Sequence, residues 1–171
     1  FRPEQKGCWR RSPRRSAALA GTVLPRRTEL LDVYDDVLLP VALGEAEEDP
    51  AIDRALDLAD RYDATLHLVS AVDPGVFDPM TVEAQELHEL LGEEAEETVE
   101  TAAERASDRG LDVETRTGRG PAAEVVVDYA EDVDVVVMAT HGREGLEHAL
   151  LGSVTEKVVR QSPAPVLTVP R

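Results

Sequence analysis

One cysteine in 171 residues, Cys8, excludes an intramolecular disulfide and any cysteine-based metal site. That is consistent with a reducing cytosol, and the chain is expected to be cytoplasmic. Long apolar runs are missing as well. Nothing approaches the roughly 20 residues that cross a bilayer, and the AALAG stretch after the first arginines is short even for the core of a signal peptide. No membrane partner is therefore expected. Lysine is nearly absent, with Lys6 and Lys157 as its two representatives, and aromatic residues make up 4% of the chain. What remains is an acidic, aliphatic sequence, 42% apolar, which suffices for one core of ordinary size.

The formal charge of −17 is unevenly spread. Residues 1–30 hold Arg2, Lys6, Arg10, Arg11, Arg14, Arg15, Arg26 and Arg27 against Glu4 and Glu29, a balance of +6, so the rest carries −23. We read residues 1–33 as a basic extension. Its arginine, proline and serine content cannot bury enough apolar surface to offset chain entropy, so disorder is expected. Vector-derived sequence, a fragment, or upstream sequence from a misplaced start explains it better than nucleic-acid binding does. Residues 34–171 then form one domain. So acidic a body repels nucleic-acid phosphates and suits a surface kept soluble at high salt, so a halophilic source is expected. An ordinary acidic cytosolic protein is the blander reading. Heat adaptation fits less well, because it tends to enrich lysine together with glutamate.

From Asp35 onward short β-rich runs alternate with longer helical ones. Strands are predicted at Val37–Val41, Thr65–Val72, Val113–Thr117, Val133–Ala139 and Val166–Val169. Helices are predicted at about Pro50–Tyr62, Val82–Arg109, Pro121–Glu131 and Ser153–Gln161. Pro50 suits a first helical turn and Gly110 a helix stop. Pro74, Gly75 and Pro79 mark a loop. This alternation predicts an α/β fold, a doubly wound, Rossmann-like parallel sheet of five strands with helices on both faces. Right-handed crossovers give the strand order 3-2-1-4-5, with the switch point between the first and fourth strands.

The most informative stretch is Val135–Val154, VVVMATHGREGLEHALLGSV. An uninterrupted apolar strand, covered on both faces, runs into a turn punctuated by Gly142, Gly145 and Gly152 and then into a helix opening at Ser153. Such a turn gathers backbone amides around phosphate. The spacing Ala139, two residues, Gly142, nine residues, Gly152-Ser153 resembles the signature of the universal stress protein family, whose first glycine is alanine here. The likeness spans about Asp35–Val169 and includes Gly118 and Pro121.

The resemblance implies an adenine nucleotide, ATP, in the crevice after the fourth strand. Its phosphates would meet the amides around Gly142 and Gly152, Ser153, Val154 and Thr155, aided by the helix dipole and the Ser153 hydroxyl. Arg143 would supply the counter-charge and Mg²⁺ would accompany the phosphates. Adenine and ribose would lie near Pro40, Val41, Ala71 and Met138. Two departures weaken this implication: Ala139 replaces the first glycine, and Ala42 stands where nucleotide-binding relatives carry an acid in a Pro-Thr-Asp sequence. Ser153 and Glu156 also read as a capping box that needs no ligand. Gly152 is followed by serine rather than lysine, so this is no Walker loop and fast NTP hydrolysis is not expected.

Catalytic and metal-ligating sets are not expected. His88 and Glu89 are followed by Gly92 where a zinc protease needs its second histidine, so His88 is read as a solvated helix residue. His67 is read as a core or face residue of its strand, while His141 and His148 have no evident proton-transfer partner. The glutamates from Glu83 through Glu104 spread round their helix as a solvated face. Three functions stay open: a stress-response regulatory protein governed by ATP, a nucleotide-free dimeric interaction module, and a slow ATP-hydrolysing or adenylyl-transferring enzyme of the adenine-nucleotide α-hydrolase-like group. By resemblance the last strand, PVLTVP, pairs with its symmetry mate to give a homodimer. Pro163, Pro165 and Pro170 around it also read as guards of a monomer edge.

Overall fold

The computed structural model describes residues 34–73, 82–140 and 151–170, with backbone alone for residues 82–85. The basic extension with Cys8, the predicted loop through Pro74, Gly75 and Pro79, and His141, Gly142, Arg143, Gly145 and His148 lie outside the described residues. The described elements, in chain order, are β1 (Asp36–Pro40), α1 (Pro50–Tyr62), β2 (Thr65–Val72), α2 (Val82–Asp108), β3 (Val113–Arg119), α3 (Ala122–Tyr129), β4 (Val135–Ala139), α4 (Ser153–Gln161) and β5 (Val166–Val169). A short 3₁₀ turn, Ala130–Asp132, closes α3. All strand pairs are parallel and the order is β3-β2-β1-β4-β5, as the alternation predicted.

Side-chain alternation along the strands divides the core into two. Val37, Leu39, Leu66, Leu68, Val135 and Val137 face α1 and α2, where Ala51, Ile52, Ala55, Leu56, Val99, Ala102 and Ala106 meet them. Leu38, Val69, Val136 and Met138 face α3 and α4, against Ala123, Val126 and Val158. Alanines on the helices let them approach the valine- and leucine-rich sheet closely. Leu38, Leu39, Leu66 and Leu68 are fully buried, and each contributes about 1.5–3 kcal/mol relative to exposure.

The helix ends follow local chemistry. Asp49, in extended conformation, accepts the Ala51 amide at 2.8 Å and Pro50 fills the first helical position of α1. Asp63 closes α1 in the left-handed region at φ 53°. Gly110 ends α2 at φ 77°, as its sequence position suggested.

Several boundaries differ from the sequence reading, those of α2 (end at Asp108) and α3 (start at Ala122) by a single residue. β4 starts at Val135: Val133 is extended but lies outside the ladder, and the chain bends at Asp134, whose carboxylate accepts the amides of Asp35 (2.8 Å) and Asp36 (3.0 Å). β3 runs on through Gly118 and Arg119, which pair with Ala71 and Val72. α3 tightens into the 3₁₀ turn after Tyr129, and β1 spans Asp36–Pro40, one residue earlier than predicted.

The Ser153–Glu156 capping box is also corrected. Gly152 is the cap residue, its carbonyl takes the Glu156 amide at 2.8 Å, and no side chain caps α4. Ser153 therefore sits one position too far along to act as cap, and Glu156 pairs with Arg160 at 2.8 Å instead.

His67 is a core residue of β2, fully buried, with Nε2 2.7 Å from the Asp36 carboxylate. Asp36→Ala strips that partner from the imidazole and is expected to cost about 1–3 kcal/mol, read as a lower urea midpoint at unchanged slope. His88, expected to be solvated, is half-buried on α2.

Candidate functional site

The strand order reverses between β1 and β4, and a cavity of about 320 Å³ opens there, past the strands' carboxyl ends. Its size lies at the lower end of the range of small-molecule sites. The sheet supplies Val69, Ala71, Met138 and Ala139, and the segment leaving β1 supplies Pro40, Val41, Ala42 and Leu43, with Glu45 and Asp49 beyond. α3 closes one side with Ala122 and Val126, and α4 the other with Val154 and Thr155. Most of the wall is therefore aliphatic. The ionisable lining residues, among those described, are Glu45 and Asp49, both buried.

Backbone hydrogen bonds fix the mouth. The Val41 amide donates to the Val69 carbonyl at 2.8 Å, holding the first residue past β1 against β2. The Gly152 amide donates to the Thr140 carbonyl at 2.7 Å, and the Thr155 hydroxyl to the Ala139 carbonyl at 3.0 Å. These two bonds tie the start of α4 to the end of β4. They also correct one expectation: the Gly152 amide is spent on Thr140 and does not offer itself to a phosphate. The amides of Ser153, Val154 and Thr155 form the first turn of α4, where a helix has no intrahelical acceptors for its N–H groups. There the dipole favours an anion.

Of the twelve residues singled out from sequence, Pro40, Val41, Ala42, Ala71, Met138, Ala139, Val154 and Thr155 line this one cavity. Gly152 and Ser153 stand at the start of α4 next to it, and Gly142 and Arg143 lie outside the described residues. Leu43, Glu45, Asp49, Val69, Ala122 and Val126 were not anticipated. Two signals pointed to some of them. Val69 shares the face of Ala71 through the period of two in β2, and Ala122 and Val126 stand four apart on one side of α3.

Glycine shapes the far rim. A Cβ on Gly118 would lie 2.3 Å from Val125 Cγ1, so β3 and α3 approach as closely as they do because residue 118 has no side chain. Gly120, at φ 130°, then turns the chain into α3. Among the described residues no cluster of three or more histidine, cysteine or carboxylate side chains is disposed to hold a metal ion. No described helix is long and apolar enough to cross a membrane.

A model of the universal stress protein family matches residues 34–170. A universal stress protein of Methanocaldococcus jannaschii is 31% identical over 142 residues, which cover 81% of this chain and 83% of the relative. In fold, the chain is similar to the universal stress protein UspA from Lactobacillus plantarum, with a TM-score of 0.69 at 20% identity over 80% of this chain and 97% of that one. It is also similar to a universal stress protein solved in complex with cAMP, with a TM-score of 0.61 at 26% identity over 80% and 97%.

Proposed function

The chain belongs to the universal stress protein family, and from that premise we propose that it is a cytoplasmic stress-response regulator that binds an adenine nucleotide, ATP, in the cavity between β1 and β4. The observation that carries this reading is the cavity itself. It lies at the switch point of the sheet, has an aliphatic floor suited to a base and ends at the first turn of α4. Base and ribose lie against Pro40, Val41, Ala42, Ala71, Met138 and Ala139, and the phosphates reach the amides of Ser153, Val154 and Thr155. Arg143 supplies counter-charge and Mg²⁺ travels with the phosphates. A related protein forms a complex with cAMP, which supports the nucleotide class.

The test is the content of the purified protein. Adenine nucleotide released on heat denaturation, or a rise in Tm on adding ATP or cAMP, supports the reading, since a ligand that binds the folded state alone stabilises it by mass action. Nucleotide-free protein with no rise in Tm favours the dimeric interaction module, which Ala42 and Ala139 would suit.

The domain, residues 34–171, works as a homodimer through β5, an edge strand whose Leu167 is 45% exposed. Leu167→Glu places a charge on that face and is expected to halve the mass seen by light scattering, without loss of fold. An excess of 35 acidic over 18 basic side chains fits work in concentrated salt.

A further inference from the structure

We propose that Glu45 sets which end of the nucleotide enters beside β1 and what it must carry there: its carboxylate accepts a neutral N–H or O–H donor of the nucleoside. This inference rests on the nucleotide reading above. Glu45 is 8% exposed and lines the cavity. Asp49, the other carboxylate on that wall, spends Oδ1 on the Ala51 amide as the cap of α1. No lysine, arginine or histidine lines the cavity among the described residues. An anion on the β1 side therefore finds two acidic lining residues and no basic one among those described, which favours the α4 end for a phosphate. A carboxylate has room for about four hydrogen-bond donors, so Glu45 can take a ligand donor in addition to protein partners. Donors of the nucleoside are what that charge recognises best.

The segment that carries Glu45 is fastened from outside the cavity. Its own amide closes a turn on the Ala42 carbonyl at 3.0 Å, and its carbonyl accepts the amides of Glu48 (3.2 Å) and Asp49 (3.1 Å). Gly44, at φ +66°, donates to Thr98 Oγ1 at 3.0 Å, and that hydroxyl donates to the Glu94 carbonyl at 2.7 Å. On the other side, Arg105 Nη1 donates to the Ala46 carbonyl at 3.2 Å while Nη2 holds Asp53 at 2.9 Å. Both neighbours of Glu45 are thus bolted to α2, which makes Thr98 and Arg105 positioning residues for the carboxylate.

Calorimetric titration of the full chain separates the two donor sources. The probes are ATP, 2′,3′-dideoxy-ATP, which lacks the ribose hydroxyls, purine riboside triphosphate, which lacks the 6-amino group, and tripolyphosphate. Glu45→Gln is expected to weaken ATP by about tenfold or more. One analogue is expected to bind the parent protein about tenfold more weakly than ATP and to lose nothing further in Glu45→Gln, the non-additivity of two partners in one contact. The analogue that behaves so names the ribose or the base as the donor. Thr98→Val is expected to narrow the preference for ATP over that analogue while leaving tripolyphosphate binding unchanged, which a general loss of fold would not do. Equal affinity of the parent protein for ATP and both analogues overturns the proposal, as does ATP binding unaffected by Glu45→Gln. If the parent protein binds no ATP at all, the nucleotide reading fails and the role of Glu45 falls with it.

Discussion

Ala71→Trp is expected to lower the affinity for ATP by at least about 100-fold, roughly 2.8 kcal/mol, with no loss of thermal stability. Ala71 is half-buried near the end of β2, on the sheet face that forms the cavity floor with Val69 and Met138. An indole there occupies the space that a base would take. Because the side chain grows into a cavity rather than into packed core, overpacking costs should not arise as they would at Leu68 on the opposite face. Affinity by calorimetry and Tm by circular dichroism read the two effects separately. A fall in both together would mean that the substitution disturbs the sheet and does not report on the site.

Gly118→Ala is expected to destabilise the fold by about 3 kcal/mol, the upper part of the usual range for inserting atoms into a packed contact. The new Cβ would lie 2.3 Å from Val125 Cγ1 and 3.3 Å from Val125 Cβ, and a β-branched side chain in a helix cannot rotate away cheaply. Either α3 lifts from β3 or the end of β3 unpairs from Ala71 and Val72. The cause is one pair of side chains, so Val125→Ala should restore most of the loss. Urea unfolding of the two single variants and the double variant closes that cycle. Independent losses in the double variant would contradict the contact as the cause.

The sheet was legible in the sequence because its order follows from strand–helix alternation and the handedness of crossovers, and because the strands carry near-continuous apolar runs such as Val135–Met138. Helix ends were legible where one residue decides them, as Pro50 and Gly110 do. The start of β4 was not, since Val133 is extended like a strand residue yet the chain bends at Asp134, whose carboxylate caps β1 across 98 positions of sequence. No local pattern reports such a contact. The cavity was half legible for the same reason. The motif around Gly152 pointed to α4, and resemblance to the ends of β1, β2 and β4. Glu45 and Asp49 belong to a loop whose shape is set by Thr98 and Arg105 on α2. The start of α4 at Ser153 was read correctly, but the capping box assigned there was not: Gly152 is the cap residue and its amide is held by the Thr140 carbonyl.

An adenine nucleotide held in the cavity between β1 and β4 is what governs the proposed function. Calorimetric titration of ATP with Mg²⁺ into the full chain in molar salt tests it most directly. The expected result is one site per chain with a dissociation constant in the micromolar range, about −8 kcal/mol, lost in Ala71→Trp. Absence of heat with folded protein at millimolar ATP, or binding that Ala71→Trp leaves unchanged, would contradict it.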